Sequence, residues 1–102
     1  MEILERLGLE HAALAAICAR HAILRLEIFG SAARDDARPD SDVDVIVSFA
    51  PEARPSLYDF VDIQDELAGL FHKPVDVVEE GSVRNPYRAR TIERDRQVVY
   101  AA

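Results

Sequence analysis

Segments with the two-residue period of a β-strand alternate along this chain with segments that have the 3.6-residue period of an α-helix. Strands are predicted over Ile23 to Gly30, Asp42 to Phe49, Pro74 to Glu79 and Gln97 to Tyr100. Helices are predicted over Leu9 to Arg20, from a cap at Ser56 to about Phe71, and from near Pro86. Because 102 residues leave room for one hydrophobic core, we expect a single α/β domain over residues 1–102.

Composition and charge exclude several classes of protein. Hydrophobic residues make up 49% of the chain and charged residues 30%, as in folded soluble proteins. The formal net charge of -7 argues against a standing nucleic-acid surface, so we expect no direct nucleic-acid partner, and an anionic substrate must arrive with cations. Apolar runs fall far short of the roughly 20 residues that span a bilayer. Met1 is followed by the acidic Glu2, whereas a signal peptide begins with a basic segment. We therefore expect a cytoplasmic protein without a membrane partner.

Positive charge is concentrated near the end of the chain. The arginines of the last fifth are Arg84, Arg88, Arg90, Arg94 and Arg96. This asymmetry fits a surface for a partner, and it also fits a solvated helix face with acidic neighbours. The sequence leaves both interpretations open.

Three aspartates on predicted strands are the candidate metal ligands. Asp42 and Asp44 lie two residues apart, so a strand directs their carboxylates to the same face. Two like charges side by side are costly unless a cation bridges them, and Mg²⁺ prefers carboxylates together with phosphate oxygens. Asp76 lies between valines on a strand that we expect to be central, where a carboxylate needs a partner. A shared metal site would satisfy all three residues.

A glycine and a serine after the first strand are the candidate phosphate seat. Gly30 lets backbone approach an anion closely, and backbone N–H groups near Ser31, together with its hydroxyl, are suitable donors. Arg34 follows one helical turn later. Its guanidinium is placed either to reach the same phosphates or to pair with Asp35 or Asp36.

These residues carry a resemblance to a known family. The segment FGSAARDDARPDSDVDVIV, from Phe29 to Val47, resembles the signature of the minimal nucleotidyltransferases of the polymerase-beta-like superfamily. The resemblance implies a nucleotidyltransferase fold, a small central mixed sheet flanked by helices. It also implies transfer of a nucleotide from ATP to a hydroxyl with two Mg²⁺ ions.

The resemblance further implies a role for each candidate residue. Gly30 and Ser31 would hold the phosphates, with Arg34 as a further phosphate contact. Asp42 and Asp44 would bind both metals, and Asp76 would bind one metal and help to activate the attacking hydroxyl.

Small members of this family resemble the antitoxins that are paired with HEPN ribonuclease toxins and that AMPylate a toxin tyrosine. We therefore expect a HEPN-family toxin as partner. One departure is that Asp35 stands where the family usually has glycine, and Asp36 adds a second negative charge near the expected triphosphate. Two alternatives remain: an antitoxin that binds its toxin without catalysis, and an enzyme that transfers the nucleotide to a small molecule or RNA.

Overall fold

The computed structural model describes residues 4–5, 7–36, 38 and 41–102, so Ala37, Pro39 and Asp40 of the motif lie outside the described residues. The strands are β1 (Ile23–Phe29), β2 (Val43–Phe49), β3 (Val75–Glu79) and β4 (Gln97–Ala101). The helices are α1 (His11–Arg20), α2 (Ser31–Arg34), α3 (Leu57–Phe71) and α4 (Pro86–Asp95). The predicted elements are confirmed, with boundaries shifted by one or two residues.

The strands form one mixed sheet in the order β3-β2-β1-β4. β1 is antiparallel to both β2 and β4, whereas β2 is parallel to β3. The predicted mixed sheet with flanking helices is therefore confirmed. The expectation that β3 is central is wrong, because β3 ends the described sheet and only Val75 of the strand is fully buried.

One face of the sheet carries the larger part of the core. Helices α1 and α3 cover this face, and α3 buries one residue per turn toward it: Ile63, Leu67 and Phe71. A capping box fixes the start of α3, as the spacing of Ser56 and Asp59 predicts: the Asp59 N–H donates to Ser56 Oγ at 3.2 Å, and the Ser56 N–H donates to Asp59 Oδ2 at 2.6 Å.

The opposite face of the sheet is covered by α4 through a smaller cluster. Phe29, Ile46 and Ile92 are its buried members, with Val78 and Val83 packed at the side. This face presents the alternate strand positions, which include Glu27, Asp44 and Asp76. The functional candidates therefore lie on the thinly covered side of the molecule.

A buried ion network holds the end of α4 against the sheet. Arg96, directly after α4, donates to Glu27 on β1 and to Glu80 after β3, and to Glu93 at 2.6 Å. Glu27 is 3% exposed, and Arg25 supplies a second cation with its Nε 2.7 Å from Glu27 Oε1. Because a buried carboxylate requires such partners, the network fixes the position of α4.

None of the helices among the described residues combines the length and the apolar character needed to cross a bilayer.

Candidate active site

The centre of the site is a row of three residues that crosses three neighbouring strands. Phe29 at the end of β1 pairs with Asp44 on β2, and Asp44 pairs with Asp76 on β3. Paired residues on adjacent strands direct their side chains to the same face, and adjacent strands lie about 4.8 Å apart. The two carboxylates are therefore neighbours. Asp42 is exposed and lies immediately before β2, two residues from Asp44.

The charge of Asp44 is poorly compensated. Burial raises the pKa of its carboxyl above the usual value, and the negative charges of Asp76 and Asp42 raise this pKa further. The positive charges of Arg88 and Arg34 oppose the effect without cancelling it. The predicted clustering of the three aspartates is thus visible in the electrostatics of Asp44, which favours an additional cation at this point.

The backbone of Gly30 lies close to the carboxylate of Asp44. Its backbone has φ +73° and ψ -153°, a conformation that essentially only glycine adopts without strain. A Cβ atom at this position would lie 2.6 Å from Asp44 Oδ2, closer than real Cβ contacts. Glycine is therefore required twice here, by the backbone conformation and by the adjacent carboxylate.

The turn after Gly30 brings Ser31 to the same end of the sheet. Ser31 is the first residue of α2, and the Gly30 carbonyl accepts hydrogen bonds from the N–H groups of Ala33 at 3.1 Å and Arg34 at 3.2 Å. Asp35 ends this short helix in the left-handed conformation, with φ +62°. This conformation explains why a glycine suits the position, and aspartate is among the residues that tolerate it best.

Arg34 is engaged by two carboxylates. Its Nη1 donates to Asp95 Oδ2 at 2.6 Å and its Nε donates to Asp36 Oδ2 at 3.2 Å. Hydrogen bonds from Arg94 and from Arg34 keep the pKa of the Asp95 carboxyl below its usual value. The pairing with Asp36 was one of the two sequence interpretations, whereas the role of Asp95, 61 residues away in sequence, was missed.

Arg88 is a second residue of the site that the sequence did not single out from its neighbouring arginines. Its Nη2 donates to Asp76 Oδ2 at 3.3 Å, and its guanidinium carbon lies 6.0 Å from the centroid of the Phe29 ring. The available signal was its place in the arginine-rich segment, but spacing alone did not distinguish it from its neighbours. In the structure, α4 brings it to the candidate site.

An open cleft of about 660 Å³ adjoins Asp76. Phe60 lies on one wall, and Arg84, Asn85 and Arg88 lie on the wall formed by the start of α4. The cleft therefore offers apolar contact, positive charge and a carboxylate to an occupant. Its volume is sufficient for part of a nucleotide or for one large side chain of a second protein.

Residues 12–99 match the nucleotidyltransferase domain family. This chain belongs to that family. The predictions of the family and of an enzyme of the nucleotidyltransferase type are confirmed. A related protein of the same family, the protein adenylyltransferase MntA of Thermococcus cleftensis, is 37% identical over 81 residues, which cover 79% of this chain and 77% of the relative.

Solved structures of nucleotidyltransferases share the fold. One described as a "putative minimal nucleotidyltransferase" superposes with a TM-score of 0.67 and 34% identity, over 85% of this chain and 86% of the other. A chain from the complex of a tri-AMPylated Shewanella oneidensis HEPN toxin with its MNT antitoxin gives a TM-score of 0.62 at 14% identity, over 90% of this chain and 70% of that chain. At that identity, the second likeness concerns the fold alone.

For a nucleotidyltransferase, the candidate ligands have suitable chemistry but are not preassembled. Asp42, Asp44 and Asp76 supply the hard oxygen donors that Mg²⁺ prefers, with Asp44 and Asp76 at paired positions of one face and Asp42 immediately before β2. Within the ranges that the structure describes, however, no three His, Cys, Asp or Glu side chains are gathered closely enough to hold a metal ion. Asp76 is hydrogen-bonded to Arg88 instead. The donor set therefore fits a divalent cation, provided that side chains rearrange.

Proposed function

We propose that this nucleotidyltransferase transfers AMP from ATP to a hydroxyl of a protein partner, a tyrosine of a HEPN-family toxin, and that it acts in this way as an antitoxin. The observation that carries the proposal is the poorly compensated charge of Asp44, which lies close to Asp42, Asp76 and Gly30. The name of the Thermococcus relative, a protein adenylyltransferase, and the fold shared with a chain of an AMPylated toxin–antitoxin complex support the acceptor class.

In the proposed reaction, the tyrosine oxygen attacks the α-phosphorus of ATP. The new phosphorus–oxygen bond forms as the bond to pyrophosphate breaks, and the hydroxyl proton passes to Asp76 or to solvent. Asp42, Asp44 and Asp76 would hold two divalent cations. Bound there, the cations would neutralise phosphate charge and make the acceptor oxygen more acidic.

Gly30 and Ser31 are proposed to hold the phosphates through the backbone of the turn, where a side chain at position 30 would collide with Asp44. Arg34 would add a positive charge on the same side. Because its guanidinium is bound to Asp36 and Asp95, Arg34 reaches a phosphate only by giving up at least one of these contacts. Asp36 and Asp95 thus limit how far Arg34 extends toward a phosphate.

The test is transfer of label from α-labelled ATP, with Mg²⁺, to a purified HEPN-family toxin. Wild-type protein is expected to label the partner, and the Asp42→Asn/Asp44→Asn double variant is expected to lose labelling. The matched control is Asp62→Asn/Asp65→Asn, which removes two exposed carboxylates from α3 and should label normally.

The non-catalytic antitoxin remains the second candidate, motivated by the acidic residues Asp35 and Asp36 beside the proposed phosphate seat. Growth rescue in cells that express the toxin separates the two. Loss of rescue in the Asp42→Asn/Asp44→Asn variant, with a complex that still forms, supports catalysis. Rescue that persists without labelling would support neutralisation by binding. Label on a small molecule or RNA in place of the protein would assign the acceptor to the other alternative.

A further inference from the structure

Arg88 occupies the space above the row formed by Phe29, Asp44 and Asp76. Its guanidinium contacts the two ends of the row, at Asp76 Oδ2 and at the face of the Phe29 ring. Asp44 lies between these ends in the strand pairing. The single Arg88 guanidinium therefore offsets part of the charge of two neighbouring carboxylates, and the Phe29 ring provides a further favourable contact.

The backbone of Arg88 is fixed, whereas its side chain is not enclosed. The Asn85 side chain accepts hydrogen bonds from the N–H groups of Tyr87 at 2.9 Å and Arg88 at 3.2 Å, which caps the first turn of α4. The Arg88 side chain remains 49% exposed, and it borders the open cleft. Its head can therefore leave Asp76 without any change in the fold.

We propose that Arg88 is a positioning residue that acts as an internal counter-cation: in the metal-free protein it pairs with Asp76 and offsets part of the charge of the neighbouring Asp44, and it competes with a divalent cation for Asp76. Entry of the cation then requires the guanidinium to move off Asp76 toward the cleft. Before substrate binds, the Arg88 guanidinium thereby reduces the electrostatic repulsion between the Asp44 and Asp76 carboxylates. This inference rests on the proposed metal role of Asp44 and Asp76.

Arg88 binds one of the three candidate metal ligands. Asp76 belongs to the same row as Asp44, and its carboxylate accepts a hydrogen bond from Arg88 Nη2. A positive charge at this point also repels a divalent cation directly. Both effects weaken metal binding, so removal of the charge should strengthen it.

The experiment measures Mn²⁺ binding to the full chain without nucleotide, by the electron paramagnetic resonance signal of unbound Mn²⁺ at fixed ionic strength. Arg88→Gln is expected to bind Mn²⁺ about fivefold to tenfold more tightly than wild type, an estimate from the Coulomb energy of charges about 4 Å apart. Arg88→Lys keeps the charge and should stay within about twofold of wild type.

Arg84→Gln is the matched control. Arg84 borders the same cleft, but its Nη1 donates to the carbonyl of Gly81 at 3.0 Å rather than to a carboxylate. The Arg84→Gln variant removes an equal charge without freeing Asp76, so the Mn²⁺ affinity of this variant should remain close to that of wild type. Circular dichroism and thermal unfolding check that each variant is folded.

Each remaining outcome either supports or overturns a defined part of the reasoning. Equal Mn²⁺ affinities for wild type and Arg88→Gln would overturn the counter-cation role and leave the metal site intact. Equal tightening in Arg84→Gln would reduce the effect to general charge and also overturn that role. If neither wild type nor Arg88→Gln binds Mn²⁺, the proposed metal site fails, and the counter-cation role fails with it. Binding by Arg88→Gln alone would support both.

Discussion

Replacement of Gly30 by alanine separates the cost of a strained backbone from the cost of a displaced carboxylate. The new Cβ would lie 2.6 Å from Asp44 Oδ2, and the residue would have to keep φ +73°. Gly81→Ala provides the comparison, since Gly81 also has a positive φ of +81° but would place its Cβ with nothing within 4 Å. Both variants place an alanine at a positive φ, and they differ in the contact with Asp44.

The expected magnitudes follow from these distances. A non-glycine residue in such a region costs about 1–3 kcal/mol, so both variants should lose stability in that range. In Gly30→Ala the carboxylate oxygen must also retreat from 2.6 Å to about 3.4 Å, where ordinary contact begins. Because a misplacement near 1 Å costs on the order of 10²-fold in rate, transfer should slow by about that factor, or about 2.7 kcal/mol.

The assay combines urea denaturation with the rate of label transfer at saturating acceptor. Gly81→Ala should transfer label at nearly the wild-type rate, whereas Gly30→Ala should be slowed. A Gly30→Ala variant with a rate within threefold of that of Gly81→Ala would refute the reasoning. In an Asp44→Ala background, where the clashing oxygen is absent, the stability cost of Gly30→Ala should be limited to the backbone term.

Three further results are expected. Arg96→Met leaves the buried Glu27 with Arg25 as its remaining cation, so the free energy of unfolding should fall by about 2–4 kcal/mol in urea titrations; a change below about 0.5 kcal/mol would contradict this. Asp44→Asn removes a poorly compensated charge and should raise the free energy of unfolding of the metal-free protein, measured in urea with EDTA; a loss of stability would count against the electrostatic account. Burial raises the pKa of the Cys18 thiol to about 12, so at pH 8 a thiol reagent should modify it only as fast as the protein unfolds; rapid modification of the folded protein would show that the thiol is accessible.

Local patterns in the sequence were sufficient for the strands and the long helices. Strand alternation predicts that Asp42 and Asp44 share one face, and in the structure β2 begins at Val43, between them; the Ser56 capping box marked the start of α3. The pairing of Asp44 with Asp76 followed only once β2 and β3 were neighbours. Short-range periodicity predicts which face a residue occupies, but it carries no information on which strand lies beside it.

The contacts made by α4 were not predictable in this way. Asp95 binds Arg34 across 61 residues, and Arg88 binds Asp76 across 12, so neither pair leaves a local spacing signal. β3 was expected to be central because valines surround Asp76. Val75 and Val77 pack against the larger core, and Val78 packs against the smaller cluster beside α4. The Asp76 carboxylate remains exposed.

The unequal cover of the two sheet faces has a consequence for how such a protein can diversify. Helices α1 and α3 and most of the core lie on one face of the sheet, whereas α4 and a cluster of three buried residues lie on the opposite face. Folding therefore depends mainly on the layer that α1 and α3 form with the sheet. The outward positions of α4, such as Tyr87 and Arg90, contribute little to that layer and are exposed. Substitutions at these positions can therefore change the surface of α4 while the fold persists.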